Sequence, residues 1–150
     1  MTKGAVIEEL LAQRKVAVFG VSRSGRKFGN AAYRGLRAAG YRVYAIHPEA
    51  DRLEGDPSYR SLAALPDPVG AAVLVVPPAE AEKLVPEVAR AGIHYVWLQQ
   101  GAESPAVLAA CEKAGLRAVA GECVLMFIQP SAWFHRAHRF VRKVTRGLPD

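Results

Sequence analysis

Apolar residues follow two rhythms along this chain. One is a set of short continuous runs, at residues 16–21, 43–46, 71–76 and 95–98 and at the pair Ala118-Val119. A strand buried on one face alternates apolar with polar residues, whereas an unbroken apolar run suits a strand covered on both faces, as in a parallel sheet between helices. The other rhythm has helical spacing. It appears at Phe28, Ala31, Ala32, Leu36 and Ala39, and again at Ala81, Leu84, Val85 and Val88. Pro86 falls inside the second pattern and predicts a kink there or a split into two pieces. A third helix is marked by Ser104 as its N-cap and Pro105 at its first position, ahead of Val107, Leu108 and Cys111.

Three Ala-Gly pairs punctuate the pattern, at Gly40, Gly92 and Gly115, each between a helical stretch and an apolar run. Glycine just past a helix end adopts the left-handed backbone without a Cβ clash, so each pair predicts a helix stop followed by a strand. Strands alternating with helices predict an α/β chain of Rossmann-like type: one domain with a doubly wound, mainly parallel five-stranded sheet and helices on both faces. Residues 49–65 read as a connection with a short strand or turn near Tyr59. The domain is expected over residues 1–130. A basic amphipathic helix over 131–150, bearing Trp133, Phe134, Phe140 and Val141, is expected to pack on it.

Composition adds bounds to this picture. With 150 residues, 51% apolar and 23% charged, the chain has the makeup of a globular domain rather than a disordered one. No apolar run approaches the roughly 18 residues that span a bilayer, and residues 1–13 do not read as a secretory signal, so the expected location is the cytoplasm. Two cysteines, Cys111 and Cys123, make no disulfide framework and read as packed thiols. The net charge of +6 is concentrated late: residues 131–150 carry five cations and one anion. The body is therefore nearly balanced, and nucleic acid is not needed to account for the charge.

In a doubly wound fold, ligands bind beyond the carboxyl ends of the strands. The first such loop contains Gly20, Val21, Ser22, Arg23, Ser24, Gly25, Arg26 and Lys27, and Phe28 opens the following helix. Free N–H groups at a helix start, together with these cations, suit a phosphate, although a tight turn with solvated cations has the same composition. Ser22 replaces the middle glycine of the dinucleotide fingerprint, and His47 and Pro48 stand where a nicotinamide dinucleotide site has an acid. Val76 and Pro77 begin a stiff apolar wall suited to an adenine ring or simply to starting a helix. Gln99 and Gln100 end the fourth strand, where their amides suit the amide groups of an extended ligand, with Trp97 beside them. Cys123 is either a thiol near a helix start or a packed one. His135 and His138 share a helix face without a third ligand, and no metal site or catalytic triad can be assembled from the spacing.

Taken in order, these pieces resemble a known family. Val18-Phe19-Gly20-Val21-Ser22, Gly40-Tyr41-Arg42-Val43 with Pro48, Leu62 with Pro66, Ala91-Gly92 leading to Trp97-Leu98-Gln99, and Gly115-Leu116 before Cys123 resemble the CoA-binding domain family. That family includes the N-terminal domain of the succinyl-CoA synthetase α subunit. The resemblance implies coenzyme A, or a short acyl-CoA, as the ligand. Its phosphates would lie at Gly20, Ser22 and the helix start, its adenosine between the segment after Ile46 and Val76-Pro77, and its pantetheine past Trp97, Gln99 and Gln100. Gly121-Glu122 and Ala50 with Arg52 depart from the residues that the family often carries there. The synthetase's phosphorylated histidine and its nucleotide-binding partner chain have no counterpart here, so the implied role is binding without self-sufficient catalysis. A protein partner or a second copy of the chain is left open. The alternatives are an NAD-responsive regulator or oxidoreductase, and an interaction protein whose basic tail contacts nucleic acid.

Overall fold

The computed structural model describes residues 2–128. The basic tail helix expected at 131–150 lies outside them. The elements run α1 (Lys3–Leu11), β1 (Lys15–Phe19), α2 (Phe28–Ala38), β2 (Arg42–Ile46), β3 (Arg52–Leu53), β4 (Asp56–Tyr59), a 3₁₀ turn (Leu62–Ala64), β5 (Ala71–Leu74), α3 (Pro78–Arg90), β6 (Tyr95–Leu98), α4 (Pro105–Lys113), β7 (Arg117–Ala120) and a second 3₁₀ turn (Val124–Met126). They form a single sheet in the order β3-β4-β2-β1-β5-β6-β7, parallel except for the antiparallel pair β3–β4.

Alternation along β1 divides the core. Val16 and Val18 face one layer with Tyr33 and Leu36 of α2 and Ile7 and Leu10 of α1. Ala17 and Phe19 face the other with Val85 and Val88 of α3 and Val107 and Cys111 of α4. The two layers make the fold doubly wound, as the apolar runs predict. Helix α4 has a local cause. Ser104 Oγ accepts the Val107 N–H at 3.1 Å, with Pro105 at the first helical position. Gly40, Gly92 and Gly115 all have positive φ at the ends of their helices.

Three expectations are corrected. Among the described residues the sheet has seven strands, not five, because β3 and β4 pair through backbone around a Glu54-Gly55 turn and their side chains include Arg52, Asp56 and Pro57 rather than an apolar run. The segment near Tyr59 is therefore a true strand, joined to β2 in register Ala45↔Ser58 and Ile46↔Tyr59. Pro86 does not divide its helix: α3 is continuous, and Pro86 lies on the exposed face, where the Glu82 carbonyl that loses its partner can meet water. Helix α1, absent from the sequence reading, is capped by Thr2, whose Oγ1 accepts from Ala5 N at 3.1 Å.

The chain leaves β1 toward β2 on one side and later returns to β5 on the other. The strand order thus reverses between β1 and β5. The link from β4 back to β5 has no α-helix, only the turn Leu62–Ala64. On that face the sheet is covered by α3 and α4, and the ends of β1 and β2 are left less roofed.

Candidate functional site

A cavity of about 620 Å³ opens at this switch point, within the roughly 300–1,000 Å³ typical of small-molecule sites. Phe19, Ile46, Leu62 and Leu84 supply apolar surface, and Lys27, His47, Arg60 and Arg90 supply basic or donor groups. Gly20, Val21 and Ser22 form one lip, His47 and Pro48 a second, the stretch from Arg60 to Ala63 a third, and α3 the far wall.

Close backbone approach shapes the first lip. Gly20 has φ +103, and a Cβ there would sit 2.0 Å from the Val75 carbonyl oxygen. A Cβ on Gly29 would sit 2.1 Å from the Gly20 carbonyl oxygen. Gly29 lets the start of α2 press onto the end of β1, and Gly20 lets that end pass against the backbone just beyond β5. Among the described residues, the N–H groups of Phe28 and Gly29 have no hydrogen-bond partner, as expected for the first turn of a helix. Lys27 is the N-cap residue with extended backbone and contributes no side-chain cap. A positive helix end and an ammonium group therefore meet at the mouth of the cavity.

The rest of the loop is folded by its own side chains. Asn30, fully buried, accepts at Oδ1 from Ser22 N (3.0 Å) and Ser22 Oγ (2.8 Å), and its Nδ2 donates to Ser22 O (2.9 Å) and to Glu54 Oε2 (2.7 Å). Ser24 Oγ lies 2.8 Å from Ser22 Oγ and accepts from Arg26 N at 3.2 Å. The Ser22 amide, expected from the sequence to be open to a ligand, is thus already engaged. Arg23 forms an exposed ion pair with Glu49 at 2.9 Å, tying the first lip to the second. Asn30 is the only asparagine in the chain, and its placement two residues into a helix behind a Ser/Gly loop was the available signal for its role.

His47 Nδ1 accepts the N–H groups of Glu49 and Ala50, each at 3.0 Å. Those bonds place the ring proton on Nε2, leaving a donor for the cleft. Burial alone would push the Glu54 carboxyl up, but Asn30, Arg34 and Arg37 together outweigh it and hold it below the usual range.

Of the sequence candidates, Gly20, Val21, Ser22, Lys27, His47 and Pro48 come together on the cavity. Arg23, Ser24, Arg26 and Phe28 belong to the same loop and helix start but do not line it, and neither do Val76, Pro77, Gln99 and Gln100. Gln99 is buried and its Oε1 accepts from Val124 N at 3.0 Å. Trp97 is fully buried and donates Nε1–H to Glu122 O at 3.0 Å. Cys111 is buried, which pushes its thiol up to about 11, and Cys123 is half-buried. The sequence reading missed the Arg60–Ala63 lip and the α3 wall, both of which depend on where the β4–β5 link crosses the sheet. Among the described residues no three His, Cys, Asp or Glu side chains cluster for a metal, and no helix is long and apolar enough to cross a membrane.

Comparison with known proteins places this geometry. The profile of a family described as a CoA binding domain matches residues 14–129. An ADP-forming acetate–CoA ligase from Archaeoglobus fulgidus is 37% identical over 81 residues, 54% of this chain and 11% of the ligase. The chain thus spans about a tenth of that relative's length. Two solved structures cover more of it. A conserved hypothetical protein from Pyrococcus furiosus has TM-score 0.71 at 36% identity, covering 76% of this chain and 98% of that one. A Thermus thermophilus protein has TM-score 0.74 at 29% identity, covering 84% and 96%.

Proposed function

The chain belongs to the CoA-binding domain family, and from that premise we propose that it binds coenzyme A or a short acyl-CoA as a binding module rather than as a self-sufficient enzyme. The observation that carries this reading is the meeting of a free helix start, Lys27 and an apolar cleft at one switch point. The residues fit the ligand. The pyrophosphate is assigned to Lys27, which lines the cavity, and to the Phe28 and Gly29 amides just behind it, because these donors have no partner among the described residues while the Ser22 amide is engaged. The adenosine is assigned to the space between His47-Pro48 and α3, where Ile46 and Leu84 offer apolar contact and His47 Nε2 a donor. The pantetheine arm is assigned to the β5 and β6 ends, past Val76-Pro77 and the exposed Gln100; the buried Gln99 sits behind that path.

No catalytic residue is proposed. Chemistry on a bound acyl group is assigned to a partner protein, in keeping with a chain that matches one segment of a ligase. An NAD site is disfavoured by His47 and Pro48 at the end of β2 and by the pairing of Glu49 with Arg23.

Isothermal calorimetry with CoA, acetyl-CoA, ADP and NAD tests the reading. CoA and acetyl-CoA are expected to bind more tightly than ADP, and NAD least tightly. Indifference to all four, or a preference for NAD, overturns it. Reversing the charge with Lys27→Glu is expected to weaken CoA binding by about 1–3 kcal/mol.

A further inference from the structure

Glu54 is the one non-glycine among the described residues with positive φ, at 54°. Left-handed backbone is strained for a residue with a Cβ, and the neighbouring Gly55, at φ 81°, occupies the same region without that cost. The Glu54 side chain is nevertheless only one-tenth exposed. Its Oε2 accepts from Asn30 Nδ2 at 2.7 Å and from Arg34 Nη1 at 2.8 Å, and the same Arg34 atom donates to the Gly25 carbonyl at 3.2 Å. Arg37 Nη1 donates to the Glu54 carbonyl at 2.8 Å.

These bonds connect a hairpin at the sheet edge to a loop some thirty residues earlier. Asn30 has two acceptor sites and two donors, and all four are used: three on Ser22 and one on Glu54. Removing the carboxylate would leave a buried Asn30 donor without its partner and free Arg34 from its grip beside Gly25. Strain kept at a turn, with the strained side chain inserted into a polar network behind a binding loop, suits a role in holding that loop.

We propose that Glu54 is a positioning residue for the ligand loop: from the β3–β4 turn it fixes Asn30 and Arg34, which hold Ser22 and Gly25 and so keep the loop in its binding shape before the ligand arrives. This rests on the reading of the cleft as a CoA site only for its effect on affinity. The effect on loop order is independent of any ligand. Preorganisation of this kind raises affinity by removing the cost of ordering the loop on binding.

The test uses the full chain with Glu54→Ala, Glu54→Gly and Glu54→Gln, read by hydrogen exchange of residues 22–27 without ligand, by calorimetry with CoA, and by thermal melting. Alanine and glycine are both expected to speed loop exchange and to weaken CoA binding about tenfold. Glycine should melt higher than alanine because it relieves the left-handed turn. Glutamine retains an acceptor for Asn30 and is expected to bind within about threefold of the parent. If affinity and loop exchange follow the melting temperature, so that glycine restores both, Glu54 serves the turn alone and the proposal is overturned. Unchanged loop exchange in the alanine variant also overturns it. If the parent protein fails to bind CoA while alanine still loosens the loop, the positioning role stands and the ligand assignment falls.

Discussion

At Gly29 the first turn of α2 lies against the carbonyl of Gly20, with no room for a methyl group between them. Gly29→Ala is therefore expected to force the helix away from β1, lowering stability by about 1–3 kcal/mol as an overpacked contact and weakening CoA binding with it. A urea melt and calorimetry on the same variant check both. Residues of this kind are partly visible in the sequence, since a Gly/Ser loop after an apolar run marks the lip containing Gly20, Val21 and Ser22. Asn30 is marked only by its place just behind that loop, and Glu54 is not marked at all. Their importance lies in a bond between residues 24 apart, and neither periodicity nor loop composition reports which polar side chains will be buried together.

Among the elements, the β3–β4 hairpin carries two carboxyls whose ionisation is shifted, Glu54 and Asp56. Asp56 accepts from Tyr33 Oη at 2.7 Å and pairs with Arg37 at 2.8 Å. The Tyr33 hydrogen bond first, and then Arg37, hold the Asp56 carboxyl below its ordinary value against the opposing effect of burial. Tyr33 itself is pushed far up, chiefly by burial and then by Asp56. Glu54 and Asp56 thus both have lower values folded than unfolded. Their contribution to stability is fully present above the ordinary carboxyl range of about 4 and is lost as pH falls through the lowered folded values. Hydrogen exchange compared at pH 6 and pH 3 is expected to show α2 and the hairpin loosening first, with a smaller pH response in Glu54→Gln. Of the hairpin only a short strand or turn near Tyr59 was legible in the sequence, and the pairing of β3 with β4 was not, because both strands are short and polar. Helix α3 was only half legible: its buried face of Ala81, Val85 and Val88 was plain, but a proline on the solvent side does not break a helix whose packed side holds it in place.

For the molecule as a whole, two apolar layers meet on a parallel sheet, and that arrangement follows from runs too apolar for a one-faced strand. Trp97 is fully buried on β6, one strand in from the β7 edge, with its indole N–H satisfied. Trp97→Ala is expected to cost about 3–5 kcal/mol, measured by chemical denaturation. Saturation with CoA at a hundredfold excess over Kd is expected to add about 2.7 kcal/mol and to raise the melting midpoint by roughly 5–10 °C. An unchanged midpoint in the presence of CoA would count against the proposed ligand.

The link from β4 to β5 crosses the sheet with a three-residue 3₁₀ turn at Leu62–Ala64 where such folds ordinarily place an α-helix. That link also supplies the Arg60–Ala63 lip of the cleft, while β4 and β5 take their pairings from other strands. A change in its length is therefore expected to reshape one side of the cleft before it reaches the sheet.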